Sequence, residues 1–181
     1  MKKSNLVIII ALMLVSFFFL AFQAIMHDYM DKVDRRIVAS KFVEDVRVMP
    51  TFNRIRISQD AFIFFEQDSV AKIKVDAPES LIPYVKTEVH GDTLIIDNTK
   101  EVRKRDSIKI FVSNPKLVEI IMSSGTIFET IGQVSGKDLN LQFSNESKGD
   151  LELSYQSVVC NAISGSKIKI KGNSDNIDFS N

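Results

Sequence analysis

The sequence has very little of what most enzyme and metal sites are built from. It contains one cysteine, two histidines, four prolines and no tryptophan. A single thiol, Cys160, cannot close an intrachain disulfide. With only His27 and His90 to accompany it, no cluster with metal-ligand spacing exists. Cys160 reads as a small apolar strand residue and His90 as a solvated turn residue. Charge of one sign is also lacking, since 23 Lys and Arg balance 23 Asp and Glu, which removes the electrostatic case for nucleic acid. Gly165 and Gly172 flank strand-like runs and open no helix, so a phosphate cradle is excluded. Accordingly, no catalytic, cofactor-binding or metal-binding residue is assigned, and no cofactor is expected.

Hydrophobic residues make up 45% of the chain and charged residues 25%, a composition that can build a core. One long uncharged run is present. After a short basic N-terminus (1–5, with Lys2 and Lys3), residues 6–26 hold no charge, and Ser16 and Gln23 are their only clearly polar members. That is about the 20 residues a helix needs to cross a bilayer. A cleavable signal peptide shares the basic start and apolar middle. The run, however, exceeds the usual apolar region of about 7–15 residues, and Phe19 and Phe22 crowd the alanines Ala21 and Ala24 where a small residue is wanted. The expectation is an uncleaved transmembrane signal anchor in contact with the lipid bilayer. Lys2 and Lys3 favour an internal N-terminus, which makes this a single-pass protein with an extracytoplasmic C-terminal domain, periplasmic or at the cell surface.

Residues 27–49 read as a juxtamembrane helical spacer. Asp28–Lys32 and Asp31–Arg35 are acidic-before-basic pairs at i,i+4, and Met30, Val33 and Ile37 form a narrow apolar stripe. Such a helix serves as a stalk or as a self-association surface. Pro50 marks the start of the folded domain, 50–181. From there short alternating runs follow one another: 52–57, 61–65, 70–75, 85–89, 93–97, 107–113 and 117–122. His90-Gly91-Asp92 joins two of them as a hairpin turn, and Pro78–Val85 is an irregular or single-turn helical crossover.

The last third of the chain repeats itself. Val118-Ile120-Met122, Leu139-Leu141-Phe143, Val159-Asn161-Ile163 and Ile177-Phe179 each lead into a turn opened by a serine. Those serines (123, 144, 164 and 180) are 21, 20 and 16 residues apart, the period of a solenoid coil. Stacking the runs at their serines puts Met122, Phe143, Ile163 and Phe179 in one column, with Asn161 as an interior polar exception. A second face aligns Leu151 with Ile168, which sets Asp150 beside Lys167 and Glu152 beside Lys169, with two strands per coil. The expected fold class is all-β, with right-handed β-solenoid or β-helix-like repeats preceded by short antiparallel strands, and one N-terminal transmembrane helix.

Ser164-Gly165-Ser166-Lys167-Ile168-Lys169-Ile170-Lys171-Gly172 resembles the turn and strand repeat of the bacterial GIN domain family, the auto-transporter adhesin head domain. Met122–Ile127 and Phe143–Asn145 resemble weaker copies. Phe52–Ile57 and Thr87–Ile96 resemble the family's opening strand and hairpin, so the likeness covers about residues 51–181. The resemblance implies an extracytoplasmic β-solenoid on an exported bacterial cell-envelope protein, and it carries over no catalytic residue.

Three functions follow for testing. The first is a non-enzymatic binding, adhesion or surface-scaffold module that offers a solenoid face to a protein or glycan. The second is a β-helix polysaccharide-processing enzyme using Asp150 and Glu152, two residues apart on one face, as acid and base. The third is an envelope assembly or regulatory protein. In addition, residues 176–181 form an open strand edge expected to self-associate.

Overall fold

The structure is a computed structural model that describes residues 13–27, 41–58, 60–99 and 108–180. It divides into two units, Met1–Ala39 and Ser40–Asn181. In the first unit residues 13–27 form a helix (α1) with its Leu and Phe side chains exposed. No helix among the described residues is long and apolar enough to cross a membrane. Residues 6–12 of the expected anchor lie outside the described residues, as do 28–40, including the Asp28–Lys32 and Asp31–Arg35 pairs.

The reading of 27–49 as a helical spacer is corrected at its C-terminal end. Phe42–Val48 is a strand, β1, paired antiparallel with Lys72–Pro78 (β4), so the second unit begins ahead of Pro50. Val43, Val46 and Val48 are β-branched, and the open edge of β4 supplies a hydrogen-bonding partner that a lone helix there would lack.

The remaining strands are β2 (Arg54–Ile57), β3 (Phe62–Gln67), β5 (Val85–His90), β6 (Thr93–Asn98), β7 (Lys109–Asn114) and β8 (Glu119–Met122). After them come β9 (Ile127–Thr130), β10 (Val134–Phe143), β11 (Lys148–Ala162) and β12 (Lys167–Ser180). Gly91, at φ 63°, occupies the β5–β6 turn, and a single 3-10 turn, Ile82–Tyr84, fills the expected crossover. All twelve strands join one sheet that curls into a half-barrel.

Most of the sheet is parallel. On one side β6, β2, β8, β10, β11 and β12 lie in sequence; on the other β7, β3, β9, β11 and β12 do so. Long β11 serves both sides. Leu151, Leu153 and Tyr155 are buried and so are Val158 and Cys160, so the inward phase changes between 155 and 158 and the strand bends there. The parallel partners of Asn140 are Glu119 and Val159, and the partner of Val159 is Asp178, which gives offsets of 21, 19 and 19 residues. The core is therefore a set of columns. Leu94, Ile55, Ile120, Leu141 and Cys160 stack in register and are all buried, while the sixth member, Phe179, is 66% exposed. Opposite them Ile110, Ile63 and Phe128 stack, and Phe65 and Phe128 place their rings 6.2 Å apart.

Four details differ from the sequence reading. First, β2 and β3 belong to the parallel stack; β6 and β7, which come later in the chain, lie beneath them, and the antiparallel pairs are β1–β4, β4–β7 and β5–β6. Second, Ala162, not Ile163, pairs with Phe143. Ile163 takes the place of the turn serine: its N–H donates to the Phe143 carbonyl as those of Ser144 and Ser123 do to Met122 and Ile57. A shift of one residue exchanges the faces, so Val158 and Cys160 point inward, while Val159 and Ile163 are exposed and Asn161 leaves the core column. Third, Leu151 pairs with Ile170, not Ile168, a slip of two that keeps the faces and changes the neighbours. Lys169 accordingly bonds Asp150 at 3.0 Å, and Glu152 lies opposite Lys171. Fourth, β10, β11 and β12 share a third short paired segment, where Val134–Gly136 pairs with Leu153–Tyr155 and then Gly172–Ser174. Gly172 sits at φ 108° with the Leu153 carbonyl oxygen where a Cβ would be, so only glycine fits this close crossing.

The turns carry the serine signature for a physical reason. Ser124-Gly125, Asn145-Glu146 and Ser164-Gly165 all have positive φ, which links consecutive strands in a tight corner. Thr126 and Ser166 close their corners by donating from the hydroxyl to the carbonyls of Ser123 and Ile163.

Candidate binding face

Parallel pairing places every second residue of β7, β3, β9, β11 and β12 on a common outward face. One cross-strand row is Lys109, Phe62, Ile127, Lys148 and Lys167; the next is Phe111, Phe64, Glu129, Asp150 and Lys169. The face is aromatic over β7–β3 and charged over β11–β12.

At the aromatic end Phe64 and Phe111 stack with centroids 5.0 Å apart and planes 19° from parallel. Both are half-buried although they point away from the core. The Lys74 ammonium lies 4.6 Å from the Phe111 centroid and is held there by Glu44 at 3.1 Å. A cleft of about 270 Å³ opens over the pair, with Glu66, Asp68, Lys72 and Ile131 on its margin. Toward β12 a wider groove of about 710 Å³ runs over Phe62 and Ile127 to Lys148, Asp150 and Lys169.

The charged end is internally matched. Asp150 receives hydrogen bonds from Lys169 at 3.0 Å and contacts Lys171 at 3.2 Å. These two ammonium groups hold its carboxyl below the usual carboxylate range, and Asp150 in turn raises the Lys169 ammonium. Asp150 and Glu152 do share the outward face, as expected from their spacing, but a proton donor in glycoside cleavage needs a raised carboxyl pKa and Asp150 has the opposite. Cys160 faces the interior, where burial first and Asp178 second push its thiol up to about 11. His90 ends β5 and lies 3.0 Å from Glu88, an exposed pair on a different side of the domain. Among the described residues, no three His, Cys, Asp or Glu side chains converge as a metal site.

The Phe64–Phe111 pair was missed by sequence reasoning, which took Ala61–Phe65 only as a strand. The signal was available. Phe62-Ile63-Phe64-Phe65 is apolar on both phases of the alternation, so one phase had to face outward.

A family model described as "Putative auto-transporter adhesin, head GIN domain" matches residues 51–181. Among curated proteins none matches the chain. Several crystal structures share its fold. One described as a putative adhesin from Bacteroides fragilis superposes with a TM-score of 0.70 at 17% identity, over 75% of this chain and 65% of that one. The chain thus spans about 65% of the length of that relative. A second, a putative adhesin from Parabacteroides merdae, gives 0.63 at 19% identity over 78% and 69%. A third, from Parabacteroides distasonis and described in the same words, gives 0.63 at 19% identity over 78% and 70%.

Proposed function

The chain belongs to the GIN domain family of auto-transporter adhesin heads, and from that premise we propose that it is a membrane-tethered, extracytoplasmic binding module that works without catalysis. The domain is read as a β-solenoid, right-handed in the way parallel crossovers are. Parallel pairing at offsets of 19 to 21 residues supports this. The tether is the uncharged run Leu6–Met26, long enough to span a bilayer as a signal anchor.

The observation that carries the binding role is the outward Phe64–Phe111 stack. Two aromatic rings presented on a sheet face, with charged hydrogen-bonding groups at the rim, suit the apolar face and peripheral hydroxyls of a sugar ring. The ligand class is therefore a glycan of the cell surface. The polysaccharide-processing alternative is disfavoured by the ion-paired state of Asp150.

The test is binding of the full chain, in detergent, to glycan and protein arrays, repeated with Phe64→Ala and Phe111→Ala. Each substitution is expected to weaken glycan binding about tenfold while circular dichroism shows the fold retained. Glycan binding unchanged in both variants overturns the assignment of this face. A stoichiometric protein partner with no glycan signal replaces it with an envelope-assembly role.

A further inference from the structure

We propose that β12 is the contact between two copies of this chain, paired antiparallel about a two-fold axis beside the bend of that strand. The inference extends the expected 176–181 edge to the whole strand. It rests on strand register rather than on the glycan reading, so either can fail without the other.

Three observations lead to it. Among the described residues β12 pairs only with β11, so its outer edge runs for 14 residues without a strand beside it. Its inward side chains continue the core columns but are uncovered: Ile168 and Ile170 are half-buried, Ile177 is 42% and Phe179 66% exposed. The opposite end of the stack offers no comparable edge, because Arg47 of β1 donates to the Val85 carbonyl and Thr87 hydroxyl of β5. A second β12 is therefore the complementary surface available on this molecule.

Charge selects the antiparallel arrangement. Lys167, Lys169 and Lys171 occupy the first half of β12, and Asp175 and Asp178 the second. A parallel pair sets like on like, whereas a two-fold pair sets each basic half on an acidic half. One register aligns the apolar side chains of both arms and one opposite-charge pair on each side of the axis. With Ile170 opposite Ile177 of the second copy, Ile168 falls opposite its Phe179 and Lys169 opposite its Asp178. Inward residues meet inward residues, and outward ones meet outward ones. The axis then passes between Asn173 and Ser174, next to the bend, so the two arms of the strand exchange places.

Sedimentation velocity of the full chain in detergent tests this. Wild-type protein is expected to dimerise at tens of micromolar. Asp178→Lys alone and Lys169→Glu alone each create two like-charge contacts per dimer and should weaken self-association about tenfold. An equimolar mixture of the two variants restores both opposite-charge contacts and should associate as tightly as wild type. Phe179→Glu, at an exposed position that leaves the Asp150–Lys169 bond intact, should also give monomer, with a thermal midpoint equal to that of wild type when both are diluted below the dimerisation range. A monomeric wild type, unaffected single variants, or a mixture no tighter than its components overturns the proposal.

Discussion

The two ends of the strand stack are finished in opposite ways. At the first, β1 and β4 close one side, β5 and β6 the other, and Arg47 bridges the two outer strands with hydrogen bonds of 2.8 and 2.7 Å while Asp45 holds its guanidinium at 2.7 Å. These closing strands are six or seven residues long, and Glu44, Asp45, Arg47, Lys86 and Glu88 charge their outermost pair. Short, charged, bridged edges resist pairing with other chains. At the second end β12 carries charge, through Lys167, Lys169, Lys171, Asp175 and Asp178, but among the described residues it is neither short nor bridged. That strand is twice as long and its apolar row is open. The lesson is that strands stacked in the same register need their ends specified separately, and among the described residues the two ends are specified differently.

The largest expected effect contrasts equivalent apolar truncations at the two ends. Ile73→Ala in β4, at a position with no exposure, should cost about 2–5 kcal/mol, whereas Phe179→Ala in the monomer should stay within about 1 kcal/mol. Urea unfolding measures both, and equal losses would dissolve the contrast. Next, Arg47→Ala removes a charged donor from two acceptors and should cost about 1–3 kcal/mol. Amide exchange should then speed up in β1 and β5 and stay unchanged in β10 and β11; uniform acceleration would show that Arg47 serves the whole stack and not one end. Between the ends, Glu146 holds φ 63° where the neighbouring turns have Gly125 and Gly165. Glu146→Gly should therefore stabilise the domain by about 1 kcal/mol, read as a higher thermal midpoint.

The smallest effect is in acid. Asp150 titrates below its ordinary value of 3.8 in the folded chain, so its ion pairs contribute fully above that pH. The contribution is lost as pH falls through the depressed folded value. Wild type and Asp150→Asn should differ near neutrality and converge in strong acid. A difference that persists there would locate the role of Asp150 in packing and not in charge.

Much of the fold was legible locally. The β5–β6 hairpin, the 3-10 crossover and the serine corners follow from Gly91, Pro83 and the positive-φ pairs, whose requirements act over a few residues. Register was not legible at the same scale. Ile163 stands in a serine position, and counting from Ser164 then moves the side chains of the second arm of β11, Val158–Asn161, to the wrong face. Strand β1 was hidden because its alternation has no clean apolar phase; its existence depends on the β4 edge, nearly thirty residues away in sequence. The placement of β6 and β7 beneath β2 and β3 is a topological fact that no local pattern encodes. The binding face fell between these cases. Its aromatic composition was visible, but which phase of β3 faced outward depended on the same non-local pairing.

One buried group gives the open end its own gauge. Cys160 is the sole thiol, and it lies in the same column as Phe179, directly beneath β12. With its pKa near 11 and its sulfur hidden, it stays silent toward thiol reagents while β12 is docked. Each transient peeling of that strand uncovers it. The rate at which the unmodified protein takes up a thiol label therefore counts the openings of one strand, and anything that seals that end will slow the clock.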